Sequence, residues 1–407
     1  MVYKRAKIFI IVFLIIFVIY FTQDFTLINI EKTALIVTLG VDKNEEGYTV
    51  TTQIAVPEGS KNQNNNNEAV ISSDGKTIFE AVSNISDRTG WYPKLSFCNL
   101  IVLGESMLSE NVMSVVDFFI RSYKVEDSAI LSACEGSAKE LLLSSSPLDN
   151  ISGISLSKIF VKDYEGASKV LPTSIKEFCS NYYSKSSHGF MPFIKTVLTD
   201  ESGIGGKTST ASSSSNKPST GKSSSSGEGG GQQKLVVYDA TTTLLFDKGY
   251  LVGTLTGDEI LCYSLLYKRV NESFINVVAT DSDGKTGNIL LNILRTSNKV
   301  EFKLKDKKPT LYLNVKVWAR ISDTDFSESM GEISNIGRLN ENMKFKLKSE
   351  IENNILKVIG VSKNSKCDIF EVKNLLYKYY PRKYDDNNLG ILDKVEVVIN
   401  VEVFNYI

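Results

Sequence analysis

The side chains that could do chemistry in this chain are few and badly placed for it. His188 is the only histidine among 407 residues. That leaves little for histidine-based triads, proton relays or histidine-rich metal sites. The five cysteines, Cys98, Cys134, Cys179, Cys262 and Cys367, are far apart and form no C-x-x-C pair. An odd, scattered set in apolar surroundings reads as small buried hydrophobes rather than a disulfide framework or zinc site.

Three stretches imitate ligand loops. Asp42-Lys43-Asn44-Glu45-Glu46-Gly47 carries oxygen ligands at the first, third and fifth positions of a calcium loop. However, Gln53 stands where a bidentate glutamate belongs and strands flank the loop, so a hairpin turn is the better reading. Gly205-Gly206-Lys207-Thr208 resembles the tail of a phosphate loop, but Glu201 replaces its first glycine and no strand precedes it. Asp385-Asp386-Asn387-Asn388 could face calcium and reads more simply as a solvated turn. No catalytic, cofactor-binding or metal-binding residue is assigned, and the net charge of −1 argues against nucleic acid as a partner.

The elements that would position anything begin with Ile8–Phe21, fourteen residues whose only polar side-chain atom is the Tyr20 hydroxyl, preceded by Lys4, Arg5 and Lys7. As a helix this run covers about 21 Å. Flanking Thr22, Gln23 and the snorkelling lysines bring it near the roughly 30 Å hydrocarbon core. It reads as an uncleaved signal anchor in a single-pass protein, with Ile8, Phe13, Ile16 and Phe21 in the bilayer. The positive-inside rule puts its N-terminus in the cytoplasm and the bulk of the chain outside. A cleaved signal would need small residues after the run, where Thr22–Leu27 offers none. A buried core helix would not be apolar on every face.

The organisation expected from composition is an anchor over residues 1–30, an N-terminal α+β region over 31–200 with room for two subdomains, a disordered Ser/Gly-rich linker over 201–234, and a C-terminal α+β domain over 235–407. In the first half, Ala34–Val41 and Tyr48–Pro57 read as a hairpin, Thr77–Arg88 as a helix and Leu95–Leu103 as a buried strand. Asn111–Tyr123 is a helix with Val112, Val115, Val116, Phe119 and Ile120 on one stripe, and Ser128–Cys134 is a strand. Ser137/Glu140, Ser174/Glu177 and Thr256/Glu259 have capping-box spacing. In the second half, Leu235–Leu245 and Tyr250–Thr254 flank a turn. Separate strands are expected at Asn288–Leu294 and around Val300, Phe302 and Leu304. Leu311–Ile321 alternates with period two, and Arg338–Ile359 places Leu339, Met343, Leu347, Ile351 and Ile355 on a stripe that would cover a sheet. A shorter helix at Ile369–Tyr379 and an alternating C-terminal strand complete an α+β fold of two or three small domains with mixed or antiparallel sheets covered by helices.

Two aromatic-basic stretches have the composition of interfaces, Trp91 and Tyr92 ahead of the buried strand, and Tyr380, Arg382 and Tyr384 after a helix end. Core packing is the plainer reading of the second.

Four segments together resemble the spore-germination receptor C-subunit family, Ger(x)C. Ala34–Pro57 has a strand ending in Gly40-x-Asp42 and a second strand of the form V-x-x-Q-I-A-x-P; Leu95–Arg121 has Gly104-Glu105 before the Asp117–Arg121 run. Leu245–Glu259 contains a lysine-glycine turn leading to L-V-G-x-L, and Asp368–Tyr384 is a late helix followed by a tyrosine-proline-basic stretch. Family members typically carry a lipobox cysteine, whereas the first cysteine here is Cys98, so the resemblance implies the same topology held by Ile8–Phe21 instead. It also implies a non-enzymatic membrane subunit of a nutrient-germinant receptor in the spore inner membrane, working with integral-membrane receptor subunits and with small-molecule germinants sensed by the complex. A structural or adhesion protein of the cell envelope is the alternative use of such a scaffold.

Overall fold

A computed structural model of the chain describes residues 10–17, 33–55, 68–121, 125–144, 146, 152–160, 169–198, 236–268, 270, 272–280, 286–305, 308–324, 338–385 and 390–406. The expected linker, the phosphate-loop look-alike and residues 386–388 of the acidic turn lie outside these, as do Ile8 and Phe21. Helix α1 (residues 10–17) has every side chain exposed, Phe13 by 71 % and Ile16 by 60 %. Among the described residues no helix is long and apolar enough to cross a membrane. The single-pass span read from the sequence is therefore not seen among the described residues, of which the eight in α1 rise about 12 Å.

Strand β1 (Thr33–Lys43) forms the expected antiparallel hairpin with β2 (Tyr48–Ala55), and β3 (Glu68–Gly75) adds to the far side of β2. Helix α2 (Ile78–Thr89) starts at Thr77, whose hydroxyl accepts from the Glu80 amide, and ends at Gly90 with φ 71°. It buries Ile78, Ala81, Val82 and Ile85, one face at helical spacing.

The strand expected over 95–103 is shorter. β4 (Tyr92–Lys94) and β5 (Leu100–Leu103) both run parallel to β1, aligning Lys94 with Leu35 and Leu100 with Thr38. The chain thus has six steps in which to cover three of β1, and the surplus coils into a 3-10 turn at Leu95–Phe97.

Parallel strands need long crossovers. Helix α3 (Met113–Arg121) leads to β6 (Ile130–Cys134), and α4 (Ala138–Leu143), α5 (Ser152–Phe160) and α6 (Ile175–Tyr183) lead to β7 (His188–Leu198). The middle strands are buried on both faces. Ile101 and Leu103 join the core beneath α2, α3 and α6, while Leu100 and Val102 join the one beneath α4 and α5. The α3 stripe holds at Val112, Val115, Val116 and Phe119, but Ile120 is 48 % exposed.

The next two strands complete this same sheet. β8 (Val236–Asp247) pairs antiparallel with β7 from Leu198↔Val236 to His188↔Asp247, and β9 (Tyr250–Thr256) pairs with β8. The result among the described residues is one nine-stranded mixed sheet, ordered β3-β2-β1-β5-β6-β7-β8-β9 with β4 beside β1. The sequence suggested smaller sheets. β7 has an edge that needs pairing, and the strands after residue 235 supply it.

Helix α7 (Gly257–Tyr267) opens with the expected capping group, the Glu259 carboxylate accepting from the Thr256 amide at 2.9 Å. Ile260 through Leu266 are buried on all sides of it. The second sheet is β10 (Ser273–Thr280), β11 (Thr286–Lys305), β12 (Lys308–Thr324) and β13 (Glu396–Asn405) in that order, antiparallel except for β12 and β13. β10 has no counterpart in the sequence reading. The two strands expected around 288–294 and 300–304 are one 20-residue strand, β11, whose register against β12 shifts at Leu290/Leu291 and Ile293/Arg295. Such bulges erase the period-two signal locally.

The crossover from β12 to β13 is α8 (Glu341–Ser365), α9 (Val372–Tyr379) and α10 (Ile391–Lys394). The Leu339, Met343, Leu347, Ile351 and Ile355 stripe is buried in one core with β12's Leu311, Leu313, Val315, Val317 and Ala319, the helix lying over β10 and β13 and beside α7. One hydrophobic core contains this stripe, α7, and Phe190, Leu245 and Leu255 of the first sheet, so α7 joins the two sheets.

Candidate functional site

Residues from the first two family-like segments meet around the start of α4. Asp42 accepts from the Ala138 amide (2.8 Å), the Lys139 amide (2.9 Å) and the Ser137 hydroxyl (2.9 Å). A carboxylate there satisfies orphan N–H groups and faces the positive end of the helix. The would-be calcium ligand is thus committed to a helix cap. Gly104 lies against it, for a Cβ at that position would stand 1.8 Å from Asp42 Oδ1. Glu105 accepts from the Gly136 amide (2.9 Å). Gln53, fully buried, donates to the Leu142 carbonyl (3.0 Å) and the Ser152 hydroxyl (2.8 Å) and accepts from the Gly153 amide (3.0 Å). These residues hold α4 and α5 onto the sheet.

A second convergence lies where the hairpin end of β7, β8 and β9 meets the segment between α8 and α9. Asp368, fully buried, accepts from the Val372 amide (2.9 Å), the Lys373 amide (2.8 Å) and the Ser186 hydroxyl (2.8 Å). Burial still pushes its carboxyl above the usual range, against those donors. The Ser186 hydroxyl in turn accepts from the Asn374 amide, Cys367 Sγ contacts the Phe246 carbonyl, and the Tyr263 and Tyr267 hydroxyls reach the carbonyls of Ile369 and Phe370. All four non-glycine residues with positive φ among the described residues, Ser187, Lys248, Lys366 and Glu371, sit in this joint. Backbone held in that region is tolerated where surroundings over-determine it. His188, 2 % exposed, is beside them, its Nδ1 without a hydrogen-bond partner. Burial lowers its pKa to about 4, opposed by Glu371.

An open cleft of about 350 Å³ overlies the joint, lined among others by Tyr183, Lys185, Lys248, Lys373, Tyr384 and Asp385. The Lys185 ammonium lies 5.2 Å from the Tyr377 ring centre and 5.3 Å from that of Tyr384, a cation–π pairing. Sequence reasoning found Tyr384 but missed Lys185, Lys248 and Lys373, because contacts across nearly two hundred residues leave no local spacing to read.

Of the other residues singled out, Tyr380 packs against Phe302, with ring centres 6.1 Å apart, at the edge of the core that holds α7 and the α8 stripe, and Tyr384 is half-buried there too. Arg382 is exposed. Trp91 and Tyr92 belong to a different surface, at β4 beside β1 and α2, and are 47 % and 43 % exposed. On the outer face of β12, Trp318 stacks on Phe404 (5.3 Å) and Arg295 (5.2 Å), covered by its own sheet.

The thiols are held in the protonated form: burial raises Cys98 to about 12 and Cys179 to about 11, and raises Cys134, Cys262 and Cys367 as well. Among the described residues no three His, Cys, Asp or Glu side chains gather as a metal site would require.

The two sheets are tied to their helices by the buried carboxylates Asp42 and Asp368, and aromatic and basic groups are left on the surface. Residues 27–196 match the model for the spore germination protein N-terminal domain, and residues 241–404 match the model described as spore germination B3/GerAC like, C-terminal. The chain belongs to this spore-germination family, Ger(x)C. It is similar to spore germination protein B3 of Bacillus subtilis (strain 168), 23 % identical over 330 residues, with 80 % of this chain and 77 % of that protein covered. Among solved structures, the crystal structure of the GerBC protein is similar with a TM-score of 0.49 at 18 % identity, covering 91 % of this chain and 97 % of that one.

Proposed function

We propose that this protein is a membrane-tethered, non-enzymatic subunit of a spore nutrient-germinant receptor, assembling with integral-membrane partner subunits on the extracytoplasmic side of the spore inner membrane. The observation that carries this reading is the match of both family models, in order, over most of the chain. The tether would be the apolar segment around residues 8–21, of which 10–17 form an exposed apolar helix. A scaffolding rather than catalytic role is supported by where its ionisable groups go. Asp42 and Asp368 cap helices, and four of the five thiols are buried, with Cys179 partly so.

Deleting the gene in a spore-forming host and scoring nutrient-triggered germination tests this. Loss or slowing of the response to one class of nutrient, restored by complementation, is the expected result. Unchanged germination with an altered envelope would instead favour the structural role. Affinity purification from solubilised spore membrane should recover multi-span partners.

A further inference from the structure

The corner of the first sheet where the N-terminal segment enters is also where exposed aromatic side chains gather. β4 pairs with the first three residues of β1, Thr33↔Tyr92, Ala34↔Pro93 and Leu35↔Lys94. Trp91, Tyr92 and Phe97 are therefore beside the point at which the chain arrives from α1. They are 47 %, 43 % and 50 % exposed, and Phe79 on α2 is 51 % exposed. Phe79, Tyr92 and Pro93 line one shallow depression, and the Lys94 ammonium stands 5.6 Å from the Phe97 ring centre. Surface hydrophobes scattered singly need no explanation; a run of aromatics at one corner does.

Two features bear on what meets them. First, the described part of α1 runs to residue 17 and β1 begins at Thr33. From residue 17 to Thr33 is sixteen steps, at most about 58 Å when fully extended, so a lipid-embedded α1 holds this corner within that reach of the membrane surface. Secondly, the side chains are the types that prefer the interfacial layer. Trp and Tyr offer an apolar body with a polar tip, and Lys carries its charge outward on an apolar stem.

We propose that Trp91, Tyr92 and Phe97, with Lys94 beside them, rest on the lipid headgroup layer and fix the orientation of the first sheet relative to the bilayer. This rests on the reading of the N-terminal segment as the membrane tether.

The two tryptophans, Trp91 and Trp318, make the surface directly readable. The full chain is reconstituted into phosphatidylcholine/phosphatidylglycerol vesicles, with and without lipids brominated near the headgroup end of the acyl chains. Trp318→Phe leaves Trp91 as sole reporter, and Trp91→Phe leaves Trp318, which is stacked in the second sheet. Trp91 emission is expected to shift to the blue and fall about twofold in brominated vesicles, while Trp318 stays nearly constant. Should Trp318→Phe unfold, the difference between wild type and Trp91→Phe gives the same reading.

Vesicle flotation separates the two ideas. A chain that fails to float overturns the tether and this surface together. A chain that floats, with Trp91 quenched no more than Trp318, overturns the surface alone. A blue shift without bromine quenching also overturns it, in favour of a protein cover from a partner or second copy.

Discussion

At the residue scale, the acidic groups that looked most like ligands are fasteners. Asp42 was legible as the first position of a turn, but the amides it serves lie 96 and 97 residues further on, and no spacing rule reaches that far. Asp42→Ala removes three charge-assisted bonds and leaves helix N–H groups unpaired, so a loss of roughly 2–4 kcal/mol is expected in urea unfolding, with Asp42→Asn recovering part of it. His188 sets a pH dependence. Its folded pKa of about 4 lies below its ordinary 6.5, because burial disfavours the imidazolium. As pH falls through that window the unfolded chain takes up a proton that the folded chain refuses. Stability from this group is thus present above about pH 6.5 and lost toward pH 4, by on the order of 3 kcal/mol. Asp247 and Asp368, raised by burial, act in the opposite sense, their contribution being lost as pH rises through their folded pKa values. Comparing urea midpoints of wild type and His188→Phe at neutral and acid pH isolates the histidine: the variant should show a flatter decline.

At the scale of elements, legibility followed periodicity. The apolar faces of α8 and β12 are legible because each keeps an unbroken period, although α8 runs Glu341–Ser365 where the pattern predicts Arg338–Ile359. The same stripe makes a graded prediction. Ile351→Ala, at a fully buried position, should cost about 2–5 kcal/mol. Phe345→Ala on the 66 % exposed side of α8 should stay within about 0.5 kcal/mol in the same urea experiment. β11 was read as two strands because its register shifts interrupt the alternation, and β10 was overlooked although Ile275 and Val277 point inward. α7 was placed correctly, but its burial on every side could not be foreseen from a helix whose polar residues are themselves enclosed, such as Ser264. The shortening of the strand expected over 95–103 follows from a pairing mismatch with β1, which exists only once both strands are laid down.

At the scale of the whole molecule, the family emerged from the order of short motifs, yet the way the halves are joined did not. The Gly40, Asp42, Gln53 and Gly104 positions that made the chain look familiar hold one face of the first sheet, and Asp368 holds the joint to the second. Surfaces such as the Lys185–Tyr377–Tyr384 cluster assemble only in three dimensions.

The pairing of β7 with β8 carries a practical corollary. These strands flank residues 199–235 yet share ten register partners, so a protease nick in that interval severs no ladder. The two pieces should stay interlocked, co-eluting under native conditions and parting only in denaturant. Expressed separately, the amino-terminal piece would display the bare rim of β7 and clump, whereas co-expression with its complement should rescue it in solution.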